Sequence, residues 1–165
     1  PLNLRITRSH ECAYLESKAE QRLAADISEA PQLHDQLAES GFRRVENWVY
    51  RPVCGSCNAC IPIRVDTHNF SLSKNIKRIM AKNRHLRKSR LYNKADEETY
   101  ELFKSYLRSR HNDGQMATMS FSDFHSMIHN SPIDTFMVKY RDEKNALIAC
   151  MLMDSQRGKC HSLFF

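Results

Sequence analysis

A chain of 165 residues, 41% hydrophobic and 27% charged, is long enough for one substantial core or two small lobes, and its composition is that of a globular protein. Four glycines argue against a Gly-rich phosphate loop and against a mostly disordered chain. The net charge of +6 points toward a polyanionic partner rather than a basic one.

In chain order, "LNLRIT" alternates and predicts a short strand. The following "SHECAYLESKAEQRLAADIS" is mixed, strand or helix. Pro31 opens a helix that carries Leu33, Leu37 and Ala38 at helical spacing, and Gly41 stops it. "FRRVENWVYRP" reads as one strand of β-forming residues ended by Pro52. A cysteine-rich loop follows, then a second strand-like run, "IPIRVDTHNF". "SLSKNIKRIMAKNRHLRKS" predicts a basic amphipathic helix over 74–90 with Ser73 as N-cap and Ile76, Ile79 and Met80 on one face. "ADEETYELFKSYLRSRH" is a second helix, with acids in its first turn and bases in its last. "SFSDFHSMI" is a third, capped by Ser120. Three strand-like runs close the chain, "TFMVKYR", "ALIACMLMD" and "KCHSLFF", the first two joined by a hairpin at "DEKN". A soft domain boundary falls near residues 65–72, which divides the chain into 1–68 and 69–165. The end on "SLFF", inside an apolar strand, suggests a sheet that continues beyond this sequence.

"PLNLRITRSHEC" has no apolar h-region, and the longest apolar run, Ala146 to Met153, is too short to span a bilayer. Six cysteines without a secretion signal then suggest the cytoplasm, with thiols reduced or metal-bound. Cys54, Cys57 and Cys60 stand in a C-x2-C-x2-C spacing, which suits zinc or an iron–sulfur cluster once a fourth ligand joins. Cys12 is the candidate for that fourth place, with His10 as a substitute. The plain alternative is free thiols in a reduced protein. Cys150 and Cys160 lie in apolar strand-like runs and read as small buried hydrophobes.

Charge is concentrated. From Arg43 to Lys94 there are 13 lysines and arginines and two acids, Glu46 and Asp66. Lys74, Lys77, Arg78, Lys82 and Arg84 make a continuous basic helix face, the kind that contacts phosphate without reading sequence. A solvated basic helix is the bland alternative. In a regular strand Arg43 and Arg51 share a face and Arg44 points the other way. Arginine forks suit carboxylates and phosphates, although strand arginines often only solubilise a sheet edge. "RHNDGQM" reads first as a helix stop, with Gly114 suited to a left-handed C-cap. The functional reading of that segment uses His111 or Asp113 as polar groups at a cleft.

The elements "ECAYL", "GFRRVENWVYRPVCGSCNACIPIRV", the "F-S-x-S" before the basic helix, "KNRHL", "RHNDGQM" and "SFSDF" together resemble the tRNA-dependent aminoacyl–protein transferases of the N-degron pathway. The resemblance is nearest to the bacterial aspartate/glutamate leucyltransferases, relatives of the arginyl-tRNA–protein transferases. It spans residues 10 to 125. The family's "YLP" is "YLE" here and its "SRSQRR" is "SLSKNIKR". The resemblance implies an α+β protein, with a small cysteine-cluster N-terminal lobe and a C-terminal lobe of acetyltransferase (GNAT) type built on an antiparallel sheet. Its reaction moves an amino acid from aminoacyl-tRNA to the α-amine of a protein that begins with Asp or Glu, creating a degradation signal.

Such chemistry needs no nucleotide cofactor, because the aminoacyl ester is already activated. It needs cations for an acidic side chain and a basic groove with aromatics for the tRNA end. Arg43, Arg44, Tyr50, Arg51 and Arg64 are the candidate substrate cleft. The helix cations are the candidate tRNA contacts. His111 and Asp113 are candidate general bases. An arginyl donor, a non-enzymatic metal-stapled RNA-binding module and a transferase gated by its cluster are the competing readings. An acyl-CoA acetyltransferase would need a pyrophosphate loop that "SQRGKCH" lacks.

Overall fold

The computed structural model describes every residue except Pro1, Asn93, Asp113, Gln115, Gly158 and Phe165. The chain divides into two compact units, Pro1–Arg64 and Val65–Phe165. No helix among the described residues is long and apolar enough to cross a membrane.

The first unit holds β1 (Arg5–Ile6), β2 (His10–Glu11), β3 (Ala19–Glu20), β4 (Arg22–Asp26), α1 (His34–Glu39), β5 (Arg43–Val45) and β6 (Trp48–Pro52). An antiparallel sheet runs β1-β4-β6-β5, and β2 pairs with β3 as a separate ribbon. The mixed segment before residue 28 is therefore strand. It leaves its sheet where Asp26 takes the amide and hydroxyl of Ser28 at 2.8 and 2.5 Å. Pro31 starts a short 3₁₀ turn that runs into α1. Gly41 ends the helix segment at φ +84°, and a Cβ there would sit 2.9 Å from Pro62 Cγ, so glycine serves both the turn and the close approach.

"FRRVENWVYRP" is a hairpin rather than one strand. Glu46, at φ +49°, turns the chain between β5 and β6. The register then pairs Arg43 with Tyr50 and Arg44 with Val49. Because the chain reverses, Arg43 and Arg51 lie on opposite faces, contrary to the single-strand expectation. Ala25, Ile27 and Val49 are buried and make the small core of this unit.

After β6 the chain has no regular structure until α2. The expected strand at 61–70 does not form. Pro62 lacks an amide donor, and Asp66 curls the chain by accepting the His68 amide at 3.0 Å and the Asn69 side chain at 2.7 Å.

The second unit holds α2 (Lys74–Lys82), β7 (Arg87–Tyr92), α3 (Glu97–Arg110), α4 (Phe121–His129), β8 (Thr135–Arg141), β9 (Leu147–Gln156) and β10 (Lys159–Phe164). Its sheet is antiparallel in the order β10-β9-β8-β7. The basic helix is half its expected length. Asn83 closes it, its side chain donating to the Ile79 carbonyl at 3.1 Å, and residues 87–92 pair with β8 instead. Ser73 caps the start as expected, taking the Ile76 amide at 3.2 Å.

On α3, Tyr100, Phe103 and Leu107 recur at helical spacing and are buried against Phe124, Met127 and Ile128 of α4 and Met137, Cys150 and Leu152 of the sheet. Each such burial contributes roughly 1.5–3 kcal/mol, which makes this cluster the main source of stability in the unit. Ser120 and Asp123 form a reciprocal capping box at the start of α4. The β8–β9 hairpin turns at Asn145, φ +68°, with Asp142 accepting the Ala146 amide at 2.8 Å. Cys150 is buried as expected, and burial pushes its thiol up to about 11. Cys160, expected to be buried, is exposed.

Candidate functional site

The first unit contains a cleft of 460 Å³ beside the β4–β6–β5 face. It gathers residues far apart in sequence because three local features meet there. The β2–β3 ribbon brings Cys12 and Glu20, its turn secured by the Cys12 amide on the Lys18 carbonyl at 2.9 Å. The pleat of β4 and β6 aims Arg22, Tyr50 and Pro52 to one side, with Arg43 joining from β5. The loop after β6 is tied back by the Val53 amide on the Gln21 carbonyl at 2.8 Å, and this brings Cys54, Cys57 and Cys60 to the wall.

All four candidate metal cysteines therefore line one cleft. Four thiols are the donor set of a zinc or iron–sulfur site. As placed they do not close around an ion: among the described residues no three His, Cys, Asp or Glu side chains converge to hold a metal. Cys54 turns its sulfur toward the Gln21 carbonyl at 3.8 Å, and Cys60 is exposed. Among the four, thiol-lined space is common but a coordination shell is not, and no chemical step is assigned to a metal.

Of the candidate substrate residues, Arg43 and Tyr50 line the cleft. Arg44 does not. It is buried and donates to the Glu46 carbonyl at 2.6 Å, so it clamps the hairpin turn. Arg51 faces the opposite side, donating to the Ser40 carbonyl at 3.3 Å with its guanidinium 5.3 Å from the Phe42 ring. Arg64 is exposed and does not line the cleft.

The cleft has three charged residues that the sequence reading passed over, Lys18, Glu20 and Arg22. Glu20 is 7% exposed and Arg22 Nε donates to its Oε1. That hydrogen bond holds the Glu20 carboxyl below its ordinary range, against the opposing effect of burial, and raises Arg22 in turn. The Arg22 guanidinium lies 4.9 Å from the Tyr50 ring centre. Two residues apart in an extended segment, Glu20 and Arg22 share a face. That was the available signal, hidden while "KAEQRL" read equally as helix.

In the second unit Lys74, Lys77, Arg78 and Lys82 are exposed on α2, and Arg84 is exposed in the turn after it. The basic run continues on the edge strand β7, where all six residues are exposed. Arg87 donates to the Asp142 carbonyl at 3.3 Å, and Arg90 stacks 3.8 Å from the Phe136 ring centre. The cations expected along one long helix thus divide between a helix and a strand. The apolar face of α2 is half exposed, with Ile79 at 48% and Met80 at 55%.

His111 caps the end of α3, its amide on the Leu107 carbonyl at 2.7 Å and its ring nitrogen 3.1 Å from the Tyr106 hydroxyl. Gly114 is not left-handed. A Cβ there would lie 3.1 Å from the His111 carbonyl, so the glycine permits a close approach. Asp113, the other candidate base, lies outside the described residues.

With this geometry in view, comparison with known proteins is specific. Residues 10–78 match the family model described as arginine-tRNA-protein transferase, N terminus, and residues 98–165 match its C-terminal counterpart. The chain is similar to proteins named aspartate/glutamate leucyltransferase. It is 37% identical over 150 residues to that of Granulibacter bethesdensis, covering 90% of this chain and 56% of the relative. It is 36% identical over 161 residues to that of Hyphomonas neptunium, covering 94% and 64%. With that of Paracoccus denitrificans the identity is 40% over 138 residues, covering 82% and 49%. The chain therefore spans about half to just under two-thirds of the length of these relatives. The two matched halves stand in family order over most of the sequence, and the chain belongs to the arginine-tRNA–protein transferase family.

Proposed function

We propose that the protein moves leucine from leucyl-tRNA to the α-amino group of proteins that begin with Asp or Glu, in the cytoplasm, and so marks them for degradation. The observation that carries this reading is the match of both family halves together with relatives named for that acceptor and that donor. The cleft adds a physical reason: it offers Arg22 and Arg43 to an acidic side chain.

In the reaction the acceptor amine attacks the ester carbonyl. A C–N bond forms, the C–O bond to the terminal ribose breaks, the ribose hydroxyl leaves and the amine gives up one proton. An α-amine has a pKa near 7.7–8.0, so roughly a tenth to a sixth of it is already unprotonated and nucleophilic at neutral pH. Holding amine and ester together supplies much of the acceleration, and no nucleophile from the enzyme is needed. The exposed cations of α2 and its following turn are the proposed seat of the tRNA backbone. The second unit, a four-stranded antiparallel sheet with α3 and α4, is the proposed GNAT-like lobe. A zinc ion or iron–sulfur cluster held by Cys12, Cys54, Cys57 and Cys60 is the accompanying cofactor proposal, supported by the donor set alone.

The test is transfer of labelled leucine and labelled arginine from their tRNAs, by the full-length protein, to peptides that begin with Asp, Glu, Ala or Lys. Leucine on the Asp and Glu peptides alone is the expected result. Arginine transfer would keep the class and replace the donor. Bound tRNA with no transfer would leave an RNA-binding module.

A further inference from the structure

One face of the second unit's sheet combines exposed cations with exposed aromatic surface. Lys88 pairs with Tyr140, Arg90 with Val138 and Tyr92 with Phe136, so these pairs stand on one side of the β7–β8 ladder. Met137, between them, turns to the other side, where α3 and α4 pack. Lys88 and Arg90 are exposed, and Tyr92 is 82% exposed. The Arg90 guanidinium lies 3.8 Å from the Phe136 ring centre, which anchors it over the sheet. β7 and β8 contain no Asp or Glu, and Asp154 of β9 is buried on the helix side, where Thr135 donates to it. Cations on an edge strand commonly serve only to discourage pairing with another sheet. That accounts for Lys88 and Arg90, but it gives no use to the aromatic ring set beside them.

Resting on the tRNA reading above, we propose that this face holds the unpaired terminal nucleotides of the aminoacyl-tRNA, with a base stacked on Tyr92, another on the Arg90 guanidinium and a phosphate on Lys88. A duplex keeps its base faces covered, so an exposed ring recognises only unpaired nucleotides. Arg90 serves in the same way, because a guanidinium plane also takes a stacked base. The three residues alternate along β7 in steps of roughly 6.5–7 Å. That is twice the roughly 3.4 Å rise of a stacked strand, and it fits nucleotides splayed apart. The cations of α2 and its following turn lead directly into β7 in sequence, so one continuous segment supplies both the backbone contacts and the stacking contacts. Charge decides against a second copy as the occupant. Two such faces would set Lys88 and Arg90 against their own counterparts with no carboxylate from β7 or β8 to neutralise them.

The experiment measures binding of labelled RNA to the full-length protein by fluorescence anisotropy, using an unpaired oligonucleotide and a blunt-ended hairpin. Tyr92→Ala should weaken binding of the unpaired strand by about fivefold or more, while Tyr92→Phe, which keeps the ring, should stay within about twofold of wild type. Hairpin binding rests on phosphate contacts alone and should change by less than about twofold in either variant. A 2-aminopurine in the unpaired strand should be quenched on binding wild type and not on binding Tyr92→Ala. Equal affinity and equal quenching for wild type and Tyr92→Ala overturn the assignment. So does wild-type protein whose Tyr92 resists nitration by tetranitromethane in the absence of RNA. That result would mean that another part of the chain or a second copy covers the face, and it needs no variant to fold. Protein that shows the Tyr92-dependent stacking but transfers no amino acid keeps this site and fails the transferase reading. Protein that transfers leucine with the KM for leucyl-tRNA unchanged in Tyr92→Ala keeps the transferase reading and fails this site.

Discussion

Asp96 holds two groups at once. Its Oδ1 caps α3, accepting the Thr99 amide at 2.9 Å and the Thr99 hydroxyl at 2.5 Å. Its Oδ2 takes Lys139 Nζ at 2.6 Å, and Lys139 is 2% exposed in the middle of β8. Burial alone would raise the carboxyl, but the hydrogen bonds from Lys139 and Thr99 outweigh it and hold Asp96 at about 2. Asp96→Asn keeps a capping oxygen and removes the counter-charge of a buried ammonium. We expect a loss of roughly 2–3 kcal/mol in urea unfolding, below the full cost of breaking a buried pair because Asp96 is partly solvated. The pH dependence follows from the sign. The folded pKa lies below the ordinary 3.8, so the pair's contribution is complete above about pH 4 and is lost as pH falls toward 2. Wild type and Asp96→Asn should therefore converge in stability across that window. A constant difference down to pH 2 would show that the pair is not the cause.

At the scale of elements, the short basic helix and the strand after it are dense in positive charge and bury no residue. No residue of α2 is buried, so its helical form owes little to packing and much to the Ser73 cap and the Asn83 stop. Cations held this way are free to meet phosphate. Replacing Lys77 and Lys82 by alanine should weaken tRNA binding and make the slope of log affinity against log salt shallower by roughly 1 to 2. Lys144→Ala, exposed on the β8–β9 turn, should leave the slope unchanged. Equal slopes for all three proteins would remove α2 from the tRNA interface. Residues 83–92 also mark where local reading failed. "KNRHLRKSRLY" carries helical spacing and strand propensity together, and β8 supplied the partner that settled the choice.

Across the whole molecule, burial is uneven. The second unit joins two helices and two strands of its sheet, β8 and β9, in one apolar cluster, while the first relies on Ala25, Ile27 and Val49. Hydrogen exchange should be slowest in α3, β8 and β9, and faster throughout the β4–β6 pairing. Amides of β4 and β6 outlasting those of β8 and β9 would contradict this distribution of stability.

Much of this protein was readable without coordinates because the cause was local. The capping serines Ser73 and Ser120, the Gly41 stop, the charge order along α3 and the Asp142–Asn145 turn each depend on neighbours within a few residues. So did the family, whose motif "GFRRVENWVYRPVCGSCNACIPIRV" is contiguous. The cleft was legible only in part. Tyr50 and Arg43 were candidates, but Arg44 and Arg51 were grouped with them until the turn at Glu46 reversed the chain and sent them elsewhere. Glu20 and Arg22 gained their roles from strand pairing and from a loop that returns across more than 30 residues. Composition, caps, turns and family were determined by the sequence alone, since they rest on short-range sterics and hydrogen bonds. Which charges face one another was decided only by the tertiary structure, because a strand's faces are assigned by its partners and its register.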